Sequence, residues 1–196
     1  MPEVSIGYFP DVGASFLLAR APGRVGLHLG LTGERIGAAD AIYVGLADVH
    51  IPSEKLAELP AGLAACRTAR DVRTCLGRMS GTATAGKRAA ARPWIDACYG
   101  ADDVEDIFSR LRASTVKDAH ATLAALQKMS PTALKITLRN IRSALSFDQV
   151  ERSFEQDYRL SLACIAEHDF IEGIRAAIVA KDRKPVWHPG RLEDVS

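Results

Sequence analysis

Met1-Pro2-Glu3-Val4-Ser5-Ile6-Gly7-Tyr8-Phe9-Pro10-Asp11-Val12-Gly13 opens the chain and holds two carboxylates, Glu3 and Asp11, in a segment suited to folding back on itself. Eight residues of straight strand would hold the acids more than ~25 Å apart at ~3.3 Å per residue. Gly7 permits backbone angles that other residues avoid, and Pro10 fixes φ and donates no hydrogen bond. A segment that turns there lets both acids face one small cavity, where a pair can divide proton transfer from nucleophilic or positioning work. Residue chemistry alone leaves a second reading open: Asp11 caps the helix beginning at Val12, and Glu3 is a solvated residue near a terminus.

The remainder bounds the class of protein. A chain of 196 residues is long enough for one well-filled core, with two small domains as the alternative, and apolar residues at 47% with charged residues at 25% are ordinary for a globular protein. A net charge of +1 gives no electrostatic reason to expect nucleic acid or an anionic membrane as partner. Cys66, Cys75, Cys98 and Cys164 form no C-x-x-C pair, so buried or half-buried thiols in a reducing compartment fit better than a metal site or a disulfide framework. The start has neither a basic n-region nor a long apolar h-region, and no apolar run approaches ~18 residues. A cytosolic (cytoplasmic), soluble protein is expected.

Along the chain, residues 1–13 read as a strand remnant and loop, followed by short helices over Val12–Arg20, Arg24–Leu31 and Ala38–Tyr43. Ala47–Ile51 reads as a short strand closed by Pro52. From Ser53 the pattern is helical: one helix starting at Ser53, one over Asp71–Arg78, and Ser80–Gly86 as linker. Pro93 reads as a first helical position with Gly100 past the end. Asp102 or Asp103 caps Val104–Arg112. Thr115 with Asp118, and Ser146 with Gln149, have capping-box spacing. Ser130-Pro131 opens a helix with Leu134, Leu138, Ile141 and Leu145 along one stripe. The next helix is expected to bury Val150, Phe154, Leu162 and Ile165. A last one, capped by Asp169, is expected to turn Phe170, Ile174, Ala177 and Ile178 inward. Gly26-Leu-His-Leu-Gly30 matches G-x-x-x-G, which outside a long apolar segment marks close helix packing.

A second candidate region lies near the C-terminus. Arg175, Lys181, Arg183 and Lys184 cluster at a predicted helix end, where cations complement the helix dipole. The functional alternative is a phosphate contact, with Phe170 or Trp187 near a nucleotide base. No ligand spacing supports a metal.

The opening thirteen residues, with Leu31-Thr32-Gly33 and Ala38-Ala39-Asp40-Ala41…Gly45-Leu46-Ala47, resemble the crotonase (enoyl-CoA hydratase/isomerase) superfamily. Ser130-Pro-Thr-Ala-Leu-Lys-Ile-Thr-Leu-Arg139, Tyr158-Arg-Leu-Ser161 and His168-Asp-Phe-Ile-Glu-Gly-Ile-Arg175 look like its 3-hydroxyisobutyryl-CoA hydrolase branch. So do the long helical stretch between Ile51 and Ser130, with Ile95–Tyr99 and Val104–Ile107, and the tail residues Trp187 and Pro189. The resemblance implies an α/β spiral fold of which this chain is the C-terminal half, mostly helical with a short β remnant at its N-terminus. It divides the chain into 1–52, the end of the core with the acid pair; 53–129, a helical insertion; and 130–196, a C-terminal helical region and tail.

The implied activity is hydrolysis of 3-hydroxyisobutyryl-CoA, a step of valine catabolism, with no cofactor beyond the CoA of the substrate. Glu3 matches the family's catalytic glutamate, acting at the thioester carbonyl as nucleophile or as base for water. Asp11 matches the acid that holds the 3-hydroxyl or assists proton transfer. Phe170, Lys181, Arg183 and Lys184 are the CoA candidates. The family's N-terminal half precedes the Met-Pro-Glu motif and supplies the oxyanion donors, each worth roughly 10²–10³ in rate, so this chain alone is expected to be impaired. Enoyl-CoA hydration is the alternative chemistry. A non-enzymatic alternative is a fragment that pairs with a separate N-terminal half or with other crotonase subunits.

Overall fold

The computed structural model describes residues 2–195, and among them the regular structure is entirely helical, with no strand. The helices are α1 (Ala14–Ala19), α2 (Val25–Thr32), α3 (Ala38–Tyr43), α4 (Leu59–Ala64), α5 (Ala69–Met79) and α6 (Arg88–Tyr99). They continue with α7 (Val104–Ala113), α8 (Lys117–Leu126), α9 (Pro131–Ser143), α10 (Glu151–Ala166) and α11 (His168–Ile174), the last running into a π-helical turn over Arg175–Val179. The chain divides into two compact units, one of residues 2–35 with 90–195, the other of residues 36–89.

The first unit is built around α2. Every residue from Val25 to Leu31 is buried, as expected of a helix that is apolar apart from His28, whose ring nitrogens meet Tyr99 Oη and Glu34 Oε2 at 3.2 and 3.1 Å. Its G-x-x-x-G pair explains how neighbours come so close. A Cβ on Gly26 would stand 1.8 Å from the Leu18 carbonyl oxygen on α1, and one on Gly30 would stand 2.5 Å from Cδ1 of Ile141 on α9. The helix stops at Gly33, whose φ of 64° is the left-handed C-terminal geometry. α9 follows the sequence closely. Ser130 accepts the Ala133 N–H, Pro131 takes the first turn, and Leu134, Leu138 and Ile141 are buried. Asp103 likewise caps α7 by accepting the Asp106 N–H at 2.7 Å, and Ile107 and Leu111 are buried beneath it.

Several expectations are overturned. The β remnant is instead a 3₁₀ turn over Glu3–Ile6, because no described strand offers a ladder and the local bonds Ser5 N–H to Pro2 and Tyr8 N–H to Glu3 close it on itself. Ala47–Ile51 is irregular: the His50 carbonyl receives the Gly81 N–H at 2.9 Å, and no ladder follows. Thr115 and Ser146 do not cap; α8 and α10 start later, with Val116 and Val150 at their ends and no side-chain cap. Pro93 lies inside α6 rather than at its start. That helix begins earlier because buried Asp40 accepts the Arg88 N–H at 2.8 Å.

The largest reversal concerns α10. Phe154, Leu162 and Ile165 are 46%, 55% and 54% exposed, whereas Ser153, Asp157 and Cys164 are buried. The polar stripe faces inward because it carries the bonds that hold the opening segment. Leu145 and Ile178 also lie outside the core. Asp169 caps no helix; it is buried and accepts from Ser130 Oγ at 2.5 Å and from the His188 N–H at 2.7 Å, tying α9, α11 and the tail together.

In the second unit, α4 and α5 pack on each other and α3 contributes Asp40. Thr68 and Asp71 form a true capping box at the start of α5. The Ser80–Gly86 linker has no regular structure.

Candidate active site

The acid-bearing segment turns twice. The first turn is Glu3–Ile6, ended by Gly7 at φ 72°, a left-handed conformation that glycine adopts at little cost. A Cβ on Gly7 would stand 2.3 Å from the Asp169 carbonyl oxygen, and one on Gly173 would stand 2.2 Å from the Ile6 carbonyl oxygen. Two glycines, one on each partner, therefore let the Glu3 turn and α11 meet backbone to backbone. Val4 and Phe9 are buried on either side at 1% and 0% exposure. The backbone of Glu3 is thus fixed, while its side chain is half-buried. Its Oε2 is shut off from solvent and has no hydrogen-bond partner among the described residues. Leaving a buried acceptor unmade costs about 1–3 kcal/mol, more for a charged one.

The second turn carries Asp11, also half-buried. Val12 and Gly13 take successive left-handed conformations, φ 55° and 75°, strained at a β-branched residue. Asp157 on α10 holds this turn by accepting the Gly13 N–H at 2.8 Å on Oδ2. Its Oδ1 accepts from Asn140 Nδ2 at 3.2 Å, and Gln156 Nε2 donates in turn to Asn140 Oδ1. Burial pushes the Asp157 carboxyl above its usual range. The Gly13 and Asn140 donors oppose that shift, and the Asp11 charge adds to it.

Between the two turns stands Tyr8. Its ring packs on Phe9 and Phe170, with centroids 4.6 and 4.7 Å away. Ser161 Oγ donates to the Asp157 carbonyl at 2.6 Å, so the 2.5 Å contact between Tyr8 and Ser161 has the phenol as donor. Burial raises the Tyr8 pKa, and the Asp11 charge adds to it. Glu3 and Asp11 therefore flank an aromatic block, and each sits on its own tight turn.

Phe170 is placed in that block through Tyr8. Lys181, Arg183 and Lys184 lie instead in an exposed loop after the π-helical turn, with Lys181 and Arg183 at φ 57° and 56°. Arg175 organises this loop: its guanidinium donates to Glu172 at 2.7 and 2.8 Å and to Asp182 at 2.7 Å, and reaches the Lys184 carbonyl at 3.2 Å. A separate cavity of about 720 Å³, lined by Lys135, Arg139, Arg142, Asp169 and His188 among others, includes neither acid. Tyr8, Asn140, Asp157 and Ser161 are the supporting residues that motif reading passed over. The signal for two of them was the polar spacing Ser153, Asp157, Ser161 on one face of a long helix.

No helix among the described residues is long and apolar enough to cross a membrane.

An all-helical body presenting two acids on a doubly turned, glycine-clamped strip is the arrangement found here, and comparison with known proteins gives it a family. The enoyl-CoA hydratase/isomerase family model matches residues 1–196, and the chain belongs to that family. It is 37% identical to the mitochondrial 3-hydroxyisobutyryl-CoA hydrolase of Rattus norvegicus, over all of this chain and 52% of the relative. It is 38% identical to 3-hydroxyisobutyryl-CoA hydrolase 1 of Arabidopsis thaliana, over all of this chain and 54% of that protein. The chain thus spans about half the length of the curated relatives it matches. Among solved structures, a carnitinyl-CoA dehydratase from Mycobacterium thermoresistibile superposes with a TM-score of 0.91 at 40% identity, over 100% of this chain and 55% of that one. An enoyl-CoA hydratase from Rhodobacter sphaeroides 2.4.1 gives 0.87 at 37% identity, over 100% and 56%.

Proposed function

We propose that this chain supplies the acid pair of an acyl-CoA thioester hydrolase that splits 3-hydroxyisobutyryl-CoA into 3-hydroxyisobutyrate and CoA, a step of valine degradation. The observation that carries the reading is Glu3: a buried carboxylate oxygen with no hydrogen-bond partner among the described residues, on a backbone clamped by Gly7 and Gly173. An acceptor held unsatisfied in this way suits attack at a carbonyl, directly or through a water whose proton it takes. The thioester C–S bond then breaks, CoA leaves as the thiol, and water supplies the oxygen and proton that complete the acid. Asp11, held on its turn by Asp157, accepts the hydrogen bond of the substrate's 3-hydroxyl. The likeness to proteins named 3-hydroxyisobutyryl-CoA hydrolase supports the substrate. CoA enters as part of the substrate and leaves as the free thiol, and the proposed reaction calls for no further cofactor.

On this reading the oxyanion donors and most of the CoA site come from the part of the longer relatives that this sequence does not span, and the activity is proposed for the chain together with that part. Phe170, Lys181, Arg183 and Lys184 are assigned to CoA; Lys181→Glu with Lys184→Glu should weaken CoA binding in the completed protein, and unaltered affinity removes the loop from the site. A second reading, hydration of an enoyl-CoA, draws on the hydratase and dehydratase named among the solved neighbours. Joining the chain to the missing half of a relative and offering both 3-hydroxyisobutyryl-CoA and crotonyl-CoA separates them. Release of free thiol from the first with little loss of the crotonyl double bond supports hydrolysis. Hydration without thiol release overturns it.

A further inference from the structure

In the second unit, two thiols meet across the corner between α4 and α5. Cys66 follows the end of α4 and is half-buried; Cys75 lies within α5 and is buried. Both sulfurs press on Gly62. Cys66 Sγ is 3.3 Å from its carbonyl oxygen, and Cys75 Sγ is 2.9 Å from where a Cβ would stand. The absent side chain is what lets the α5 thiol approach α4. The thiols act on one another: burial first, then the Cys75 thiol, push the Cys66 pKa up, while Arg78 pulls it down. The pair shares a cavity of about 280 Å³ with Arg70, Asp71 and Arg78. Asp71 is committed to the Arg67 and Thr68 N–H groups at 3.1 and 2.9 Å.

We propose that Cys66 and Cys75 form an oxidisable dithiol that exchanges with a small, carboxylate-bearing disulfide of the glutathione type and closes into an intramolecular disulfide. Cys66, the more exposed, gives its proton to solvent, and its thiolate attacks one sulfur of the small disulfide. One small thiolate leaves, and Cys66 holds the other half as a mixed disulfide. Cys75 then loses its proton, attacks the Cys66 sulfur and displaces the second small thiolate. Two protein thiols are oxidised, and one small disulfide is reduced to two thiols. Arg70 and Arg78 at the cavity attract the incoming carboxylates, and Arg78 partly offsets the burial, the Cys75 thiol and the Asp71 charge that raise the Cys66 thiol. Cys98 and Cys164 are buried where Cys66 is half-buried, so a disulfide arriving from solvent meets Cys66 first.

The test is peptide mapping by mass spectrometry of the native chain after incubation with oxidised glutathione, at neutral and mildly alkaline pH, against the same reaction in denaturant. The Cys66–Cys75 crosslink, two hydrogens lighter, should form faster at the higher pH because the thiolate is the attacking species. The ratio of closed to mixed disulfide should be at least ~10-fold higher in the native chain than in denaturant, the effect of a fixed neighbour on effective concentration. Cys75→Ser should stop at one glutathione on Cys66, and Cys66→Ser should leave Cys75 unmodified. A native ratio no higher than the denatured one overturns the proposal, as does a wild-type chain that carries glutathione on Cys66 without closing.

Discussion

Glu3 and Asp11 have different kinds of support, and single substitutions distinguish them. Glu3 is held from behind by two glycines that touch carbonyls, so a methyl group in either place has nowhere to go. Gly173→Ala needs a shift of helix against turn, because its Cβ would stand 2.2 Å from the Ile6 carbonyl. We expect a loss of roughly 1–3 kcal/mol in urea unfolding, the range for overpacking. An unchanged midpoint would mean the contact is loose. Asp11 is held from the side, through the Gly13 N–H on Asp157 and the Asn140 amide behind it. Asp157→Asn turns two amide donors toward each other and should cost about 1–3 kcal/mol. The exchanged pair Asp157→Asn with Asn140→Asp restores one donor and one acceptor, and should recover most of that loss in thermal denaturation. Failure to recover would show that the carboxylate at 157 matters by its charge and not by its bonds. The two acids were legible in the sequence as residue types near a turn. The partners that fix them were not, because Asp157 and Asn140 lie more than a hundred positions away and their polarity reads as solvent exposure.

Among the elements, α10 and the tail set the sequence reading apart from the structure. The spacing of Phe154, Leu162 and Ile165 indicates one helical face correctly, and the inference that this face is core is the part that fails. Burial of the opposite face is fixed by tertiary bonds to the Asp11 turn, which local periodicity does not register. Leu162→Glu with Ile165→Glu should therefore change stability by no more than ~0.5 kcal/mol each in thermal unfolding. A core position would cost about 2–5 kcal/mol on truncation, and a loss of that size would restore the original assignment. α2 and α9, by contrast, follow the sequence closely, because caps, proline and G-x-x-x-G are local signals. The tail responds to acid. Arg175 and then the Val186 N–H hold the Glu172 carboxyl down to about 2, from an ordinary 4.5. Between those values the unfolded chain binds the proton and the folded one does not, so stability falls as pH falls from about 4.5 to about 2. The indole resonance of Trp187, whose Nε1 donates to Lys128 at 3.0 Å, should broaden over that window. Glu172→Gln should remove the dependence.

At the scale of the whole chain, the match runs over its full length and over about half the length of its relatives. The sequence alone indicates a crotonase-type chain through its opening strip and two later motifs. What it misjudges is the strip's own form, because a strand needs neighbours and a 3₁₀ turn closes by itself. In the proposed function Glu3 acts at the thioester carbonyl in the presence of the part of the fold that the longer relatives carry. The direct measurement is steady-state thiol release from 3-hydroxyisobutyryl-CoA by the chain joined to a relative's missing half, comparing the native sequence with Glu3→Gln. A fall in kcat of roughly 10²–10⁴ with KM little changed is the expected result. Equal turnover by the two proteins would contradict it and take Glu3 out of the chemistry.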